Sequence, residues 1–146
     1  MDWSHSFPRL TADDIEVMLS VSEKSEFMLG DTIAEEGQHL DHFFILESGR
    51  VGVERSLHGG IYAQFIKPLE KGDIFGEMSF IGGLGASATL LALTDVATIS
   101  FPADKVKELI ANDDGLAARL YQSFSIILVE RLMRTNLRTE TFDPRL

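Results

Sequence analysis

The segment GEMSFIGGLGASATLLA, from Gly76 to Ala92, contains residue types that suit an anion-binding loop. It has one acid, Glu77, and no basic residue, and its glycines and small side chains leave several backbone amides unshielded. Backbone N–H groups of this kind can hold a phosphate. The hypothesis is a phosphate cradle, and the alternative is an ordinary loop of similar composition.

Pairs of adjacent acids are the first candidates for hydrolytic chemistry, and their spacing does not support it. They occur at Asp13–Asp14, Glu35–Glu36 and Asp113–Asp114. Neighbouring side chains diverge on a strand, and the first turn of a helix favours acids for electrostatic reasons alone. The sequence also has no cysteine and no Gly-x-Ser-x-Gly motif, so it offers neither a cysteine nucleophile nor a nucleophile elbow. We predict a non-enzymatic protein without catalytic residues.

His39 and His42 lie three residues apart with Asp41 between them, which raises the question of a metal site. If His42 begins a strand with the run HFFIL, an offset of three places the two imidazoles on opposite faces. A metal ion needs ligands that converge. We therefore predict no metal site, and the sequence lacks the histidines on one strand face that a metal-dependent barrel enzyme of the cupin type would need.

Length and composition indicate one domain, residues 1–146, with a hydrophobic core. Of the 146 residues, 45% are hydrophobic, which is enough for one core and too few for two domains. The start, MDWSHSFPRL, has neither a basic region nor an apolar stretch, and no apolar run is long enough to span a membrane. We therefore expect a cytoplasmic protein without a signal peptide or a membrane span.

The net charge argues against nucleic acid as a partner. The chain has 23 acidic and 13 basic residues, a formal net charge of −10, and such a surface repels phosphate backbones. The stretch ERLMRTNLR is locally basic, but basic residues at a helix end also complement the helix dipole. We predict no binding to nucleic acid.

Helical patterns at both ends flank a region of short strands. Thr11 and Asp14 form a capping-box pattern at the start of a helix, which we place at residues 11–23. Short apolar or alternating runs, separated by turn residues, fill residues 27–101 with the spacing of a β-sandwich or barrel. Helical patterns return over residues 102–139. The domain is therefore predicted to be mainly β with flanking helices.

The long C-terminal helix has a broad apolar surface. Leu120, Phe124, Ile127 and Leu128 recur at helical spacing, and the apolar surface is wider than packing on one small domain requires. We predict a homodimer through these four residues. The alternative is that both faces of the helix pack within one monomer.

Several ordered motifs resemble those of the cyclic nucleotide-binding domain family, which includes the catabolite activator protein and the regulatory subunit of protein kinase A. They are LGDTIAEEG at 29–37, FFILESGRVGV at 43–53, KGDIFGE at 71–77, the segment 76–92, which we call the cassette, and the long C-terminal helix. The resemblance covers nearly the whole chain. It implies a jelly-roll (double-stranded β-helix) barrel of roughly eight strands, with a long C-terminal helix.

The resemblance also implies roles for residues at the start of the cassette. The family pair Gly-Glu, matched by Gly76 and Glu77, supplies a carboxylate to the ribose 2′-hydroxyl of the ligand. Met78, Ser79 and Phe80 match a short helix whose first amides face the cyclic phosphate. These residues are therefore candidates for ligand binding.

The end of the cassette departs from the family pattern. The family has Arg, then Ser or Thr, then Ala, and the guanidinium pairs with the phosphate, whereas this chain has Ala86, Ser87 and Ala88. The Ser87 hydroxyl and the amides of Ser87 and Ala88 can still donate. A hydrogen bond to a charged group contributes about 1.5 to 3 kcal/mol, or about ten- to hundredfold in affinity, so we expect dissociation constants of roughly tens to hundreds of micromolar.

Residues outside the cassette complete the candidate site. Lys71, Arg50 and Arg134 are the nearby bases in the sequence that could replace the missing arginine. Thr135 and Asn136 match helix positions at which a member of the family meets the adenine, and a hydroxyl and an amide can read a base edge. Alternatively, these two residues only fray the end of the helix.

The sequence therefore predicts a non-enzymatic regulatory module, without a cofactor, that binds cAMP or cGMP. It would form a homodimer through its C-terminal helix and act on an effector protein that the sequence does not identify. The alternative is a ligand-deficient relative that serves as a dimerisation or protein-interaction module, with or without a different small anion in the cradle.

Overall fold

Short strands fill the middle of the chain and helices lie at both ends. The structure, a computed structural model, describes residues 2–57, 60 and 62–140, without the side chains of residues 62 and 135–140. The helices are α1 (Trp3–Ser6), α2 (Ala12–Ser20), α3 (Glu77–Gly82), α4 (Ala103–Ala111) and α5 (Asp114–Glu140). The strands are β1 (Glu23–Phe27), β2 (Thr32–Ala34), β3 (His42–Ser48), β4 (Val51–Leu57), β5 (Tyr62–Leu69), β6 (Ile74–Phe75), β7 (Thr89–Ala92) and β8 (Val96–Pro102).

The strands form two antiparallel sheets. Sheet A has the strand order β1-β8-β3-β6, and sheet B has the order β2-β7-β4-β5. Strands that are neighbours in a sheet are mostly distant in the sequence, which is typical of a jelly roll. The prediction of a mainly β jelly-roll fold with flanking helices is therefore confirmed.

Strand β3 shows why the middle of the fold contains an uninterrupted apolar run. Successive side chains of a strand point to opposite faces, and both faces of β3 are buried. Phe43 and Ile45 pack with the helices, whereas Leu46 packs between the sheets with Val51 and Leu90. One core thus lies between the two sheets, and a second core lies between sheet A and the helices.

The predicted capping box is present, but the first predicted helix, placed at 11–23, is the shorter α2, which runs from Ala12 to Ser20. The Thr11 hydroxyl accepts from the backbone N–H of Asp14 at 3.1 Å, and the Asp14 carboxylate accepts from the backbone N–H of Thr11 at 2.9 Å. Helix α1 precedes it without having been predicted, and the strands begin at Glu23 instead of Phe27. The charged sequence EKSEF of β1 lies at an edge of sheet A, where charged residues oppose association between sheet edges.

Helix α5 uses one face within its own domain, which corrects the predicted dimer surface. Leu120 is 0% exposed and Phe124 is 1% exposed, and Ile127 packs against the same core. Leu120 and Phe124 are therefore not available to a second copy, whereas Leu128 is half-buried and its part in a dimer stays a prediction. The exposed apolar residues of α5 are instead Tyr121, Val129, Leu132 and Met133. Neither α5 nor another helix in the described part of the chain is both long and apolar enough to cross a membrane.

Candidate functional site

A glycine and a buried acid set the start of helix α3. Gly76, the N-cap residue, has a φ of 86°, and a Cβ at this position would lie 2.8 Å from the carbonyl oxygen of His42. Only glycine satisfies both the left-handed backbone and the close approach. The turn directs Glu77, the first residue of α3, into the protein, where it is 3% exposed.

Arg131 of helix α5 holds the Glu77 carboxylate. Its Nη1 donates to Oε1 of Glu77, and its Nη2 donates to the carbonyl oxygen of Ile74. A buried carboxylate needs such a partner because an unpaired charge is costly away from water. A carboxylate has several acceptor sites, so it can bind Arg131 and a ligand hydroxyl together. The pair also connects the cassette to the C-terminal helix.

Ser79 and Phe80 fasten α3 to its surroundings. The Ser79 hydroxyl donates to the carbonyl oxygen of Leu84 at 2.5 Å and accepts from the backbone N–H of Leu40 at 3.2 Å. The Phe80 ring is 3% exposed and packs edge-on against Phe43 with a centroid distance of 5.3 Å. The Ser79 side chain therefore holds the loop in shape, and its predicted ligand contact would use the backbone amide.

Residues 37–40 bring the two ends of the cassette together. The N–H of Ala86 donates to the carbonyl oxygen of Gln38 at 2.8 Å, and the N–H of Gly37 donates to the carbonyl oxygen of Ala86 at 2.8 Å. Gly85 approaches so closely that a Cβ on it would lie 2.3 Å from the carbonyl oxygen of Gly37. Because the same segment is bonded to α3, both ends of the cassette share one support.

The remaining predicted cassette residues differ in their access to solvent. Met78 is half-buried, Ser87 is exposed, and Ala88 is 5% exposed. Ala86 packs against the core between the sheets. The Ser87 hydroxyl is thus open to a ligand, while the position of the family arginine carries a small apolar side chain.

The bases suggested from the sequence lie elsewhere in the fold. Arg50 precedes β4, where its backbone N–H donates to the turn that follows β7. Lys71 is exposed in the turn before β6. Arg134 lines a small cavity of about 20 Å³ together with His5 and Asp73. The described contacts connect none of these three bases with the end of the cassette.

Thr135 and Asn136 belong to the last turns of α5. Their side chains lie outside the described part of the structure. Their contact with a nucleotide base therefore stays a prediction.

The two candidate metal-binding histidines have separate acidic neighbours. Nδ1 of His39 lies 3.8 Å from Oδ1 of Asp41, and Nε2 of His42 lies 3.8 Å from Oε2 of Glu23. Among residues 2–57, 60 and 62–134, no group of three or more His, Cys, Asp or Glu side chains could hold a metal ion.

A larger cavity of about 590 Å³ lies between α2, α4 and the start of α5. Apolar and charged side chains line it, among them Val17, Val21, Lys105, Glu108, Leu109 and Leu116. No cassette residue contributes to its lining, so this cavity is separate from the candidate ligand site.

Arg131 is the site residue that the sequence analysis does not identify. Its spacing from Phe124 and Ile127 places it on the core-facing stripe of α5. A base on such a stripe needs a buried acidic partner. The partner, Glu77, is 54 residues away in the sequence, so helical periodicity points to the need for an acid but not to which one.

Comparison with known proteins agrees with the observed fold, and the matched region includes the cassette. Residues 24–113 match the family model of the cyclic nucleotide-binding domain. The cGMP-dependent protein kinase 2 of Mus musculus is 32% identical over 108 residues, which are 73% of this chain and 14% of that protein. The cAMP-dependent protein kinase regulatory subunit of Candida albicans is 36% identical over 94 residues, which are 57% of this chain and 19% of that protein. The chain thus spans less than a fifth of these relatives.

A solved structure gives the same result for the fold. The crystal structure of a cyclic nucleotide-binding domain from Methylobacillus flagellatus has a TM-score of 0.84 at 19% identity, covering 99% of this chain and 84% of that chain. Since the family model also matches more than half of the residues, the chain belongs to the cyclic nucleotide-binding domain family.

Proposed function

We propose that the chain is a non-enzymatic regulatory module whose cassette binds a cyclic nucleotide, cAMP or cGMP. The observation that carries this proposal is the buried Glu77 carboxylate, which Arg131 holds at the start of α3. A carboxylate that is already oriented loses little freedom when it binds a hydroxyl group. The names of the two relatives, a cGMP-dependent kinase and a cAMP-dependent kinase regulatory subunit, support the ligand class.

Each part of the ligand has a proposed contact. Glu77 accepts from the ribose 2′-hydroxyl. The amides of the first turn of α3 and of Ser87 and Ala88, together with the Ser87 hydroxyl, donate to the cyclic phosphate. Thr135 and Asn136 meet the base.

Calorimetric titration with cAMP and with cGMP tests the proposal. We expect saturable binding to a single site. Glu77→Gln should weaken binding by about tenfold or more, because a charge-assisted hydrogen bond becomes a neutral one. Glu26→Gln, which changes an exposed acid of β1, is the matched control and should bind like the wild type. Ala86→Arg should tighten binding.

The alternative is the ligand-deficient interaction module, which Ala86 favours because it stands where the family has its arginine. Absence of binding to both nucleotides at millimolar concentration, in the wild type and in Ala86→Arg, would establish this alternative and overturn the proposal.

We further propose that the module works as a homodimer through the exposed apolar face of α5 and reports to an effector protein. Arg131 gives α5 a direct bond to Glu77 in the cassette. A ligand that binds Glu77 would therefore also bias the position of α5, the helix that contacts the second copy.

A further inference from the structure

Strand β4 directs one of its faces toward the core between the sheets. In its pairing with β7, Val51 lies opposite Ala92 and Val53 lies opposite Leu90, and residues directly opposite each other share a face. Val51 is 0% exposed, Ala92 is 2% exposed and Leu90 is 7% exposed. This face is therefore the inner face of sheet B.

The end of the cassette packs on the same side. Ala86 and Val53 both pack against the core between the sheets. Side chains alternate along a strand, so Arg55, two residues after Val53, projects from the inner face as well. Glu54, between them, lies opposite Thr89 and projects from the outer face.

The paired register of β4 and β7 ends one residue before Arg55 on β4 and one residue after Ala88 on the other chain segment. Glu54 and Thr89 form the last pair of β4 with β7. One further step of an antiparallel register leads from Glu54 to Arg55 and from Thr89 to Ala88. Ala88 ends the Ala86–Ala88 run in which the family arginine is missing, so a register continued by one step would place Arg55 alongside that run.

The guanidinium of Arg55 is available to a ligand. The residue is exposed, and it makes no hydrogen bond or ion pair through its side chain with another residue that the structure describes. The Glu36 carboxylate lies at this end of β4, where its Oε1 accepts from the backbone N–H of Ser56 at 3.0 Å. A guanidinium that can reach backbone amides and a serine hydroxyl is a suitable partner for a phosphate.

We propose that Arg55 supplies, from strand β4, the positive charge that the cassette lacks, and that it pairs with the cyclic phosphate of the ligand. The inference rests on the proposed nucleotide-binding function and names a residue for it. With this cation in place, the wild type should bind about ten- to hundredfold more tightly than a cassette without one.

Calorimetry with cAMP and cGMP on three variants of the full chain tests the role of Arg55. Arg55→Gln should weaken binding about ten- to hundredfold, and Arg55→Lys should retain most of the affinity because the charge remains. Arg50→Gln is the matched control, since Arg50 precedes the same strand at its other end, about 17 Å away at the rise of a β-strand, and it should bind like the wild type. Thermal unfolding of each variant separates lost binding from lost folding.

A double variant tests whether Arg55 acts through its positive charge. Arg55→Gln combined with Ala86→Arg returns a guanidinium to the family position and should restore wild-type affinity to within a few-fold. Ala86→Arg should therefore have a larger effect in the Arg55→Gln background than in the wild type, because the two residues serve one phosphate.

The outcomes separate this inference from the proposed function. Wild-type binding that Arg55→Gln leaves unchanged would overturn the role of Arg55 and leave the nucleotide-binding function standing. Weakened binding that neither Arg55→Lys nor the added Ala86→Arg restores would also overturn it, because the loss would then not be one of charge. Absence of nucleotide binding in the wild type would overturn the role of Arg55, and its absence in Ala86→Arg as well would overturn both.

Discussion

Two buried carboxylates, those of Glu77 and Asp14, each accept from an arginine of helix α5. Arg131 bonds to Glu77 in the cassette. Arg119 bonds to both oxygens of Asp14 in α2, with Nε at 2.6 Å from Oδ2 and Nη2 at 2.9 Å from Oδ1. Such charge-assisted bonds are strong and directional. Helix α5 is thus attached to the candidate site by Arg131 and to α2 by Arg119.

The Asp14 pair predicts a loss of stability in acid. The hydrogen bond from Arg119 is the main cause that lowers the pKa of Asp14 to about 2, below the value of about 3.9 for an unfolded chain. A lowered pKa stabilises the fold above the unfolded value, and that contribution is lost as the pH falls from about 4 through about 2. Asp14→Asn should therefore lower the free energy of unfolding at pH 7 by about 2 kcal/mol.

Urea unfolding of the wild type and of Asp14→Asn at several pH values measures this effect. The difference between the two proteins should shrink as the pH approaches 2. Asp13→Asn changes a neighbouring exposed acid and serves as the control, with an expected change within about 0.5 kcal/mol. A constant difference between the wild type and Asp14→Asn at all pH values would contradict the prediction.

At the scale of elements, the support of the cassette depends on a close backbone contact. A Cβ on Gly85 would lie 2.3 Å from the carbonyl oxygen of Gly37, which is too close for any real contact. A Cβ on Gly82, at the end of α3, would meet only Leu84 atoms, at 3.7 and 3.8 Å. Gly85 and Gly82 of the cassette therefore differ strongly in their tolerance of a methyl group.

We predict that Gly85→Ala separates the end of the cassette from residues 37–40. It should lower stability by about 1 to 3 kcal/mol and should also weaken nucleotide binding. Gly82→Ala should be neutral or slightly stabilising, because alanine favours a helix over glycine. Thermal unfolding and titration of both variants check this, and equal behaviour of the two would show that the contact is unimportant.

The exposed face of α5 carries the prediction of a homodimer. Leu132 is 60% exposed and Val129 is 53% exposed, and exposed apolar surface of this kind favours association by about 25 cal/mol per Å² buried. The double change Val129→Glu and Leu132→Glu should convert a dimer into a monomer in light scattering coupled to size exclusion. Met28→Glu, at a residue that is 71% exposed elsewhere, is the control and should leave the dimer intact. A wild-type monomer at tens of micromolar would refute the prediction.

At the scale of the whole molecule, the net charge of −10 carries the prediction that nucleic acid is not a partner. Nucleic acid binding needs a surface that neutralises phosphates, and an acidic protein repels them. We predict no shift of duplex DNA fragments at physiological salt in a mobility-shift assay. A submicromolar complex that weakens as salt is added would show that a local basic surface outweighs the net charge.

The sequence by itself determined the order of helical and strand regions, apart from α1, and the family. Some features depend on local backbone and side-chain preferences and can therefore be predicted without a structure. They are the Thr11–Asp14 capping box, the apolar run of β3 and the turn glycine Gly76. Ordered motifs at family spacing then placed the cassette, with Glu77 at its start and Ala86 in place of the arginine.

Only the tertiary structure decided which distant residues meet. Arg131 pairs with a residue 54 positions away, and Ala86 bonds to Gln38. Helical periodicity alone does not show which apolar face of α5 packs against the domain. The predicted dimer surface includes Leu120 and Phe124 for this reason, although both side chains are buried in the core of the monomer. Likewise, proximity in sequence points to Arg50, whereas the strand register is the ground on which we propose Arg55. The periodicity of apolar residues shows which residues share a face of a helix or strand. Which element packs against that face depends on how the sheets and helices pack together.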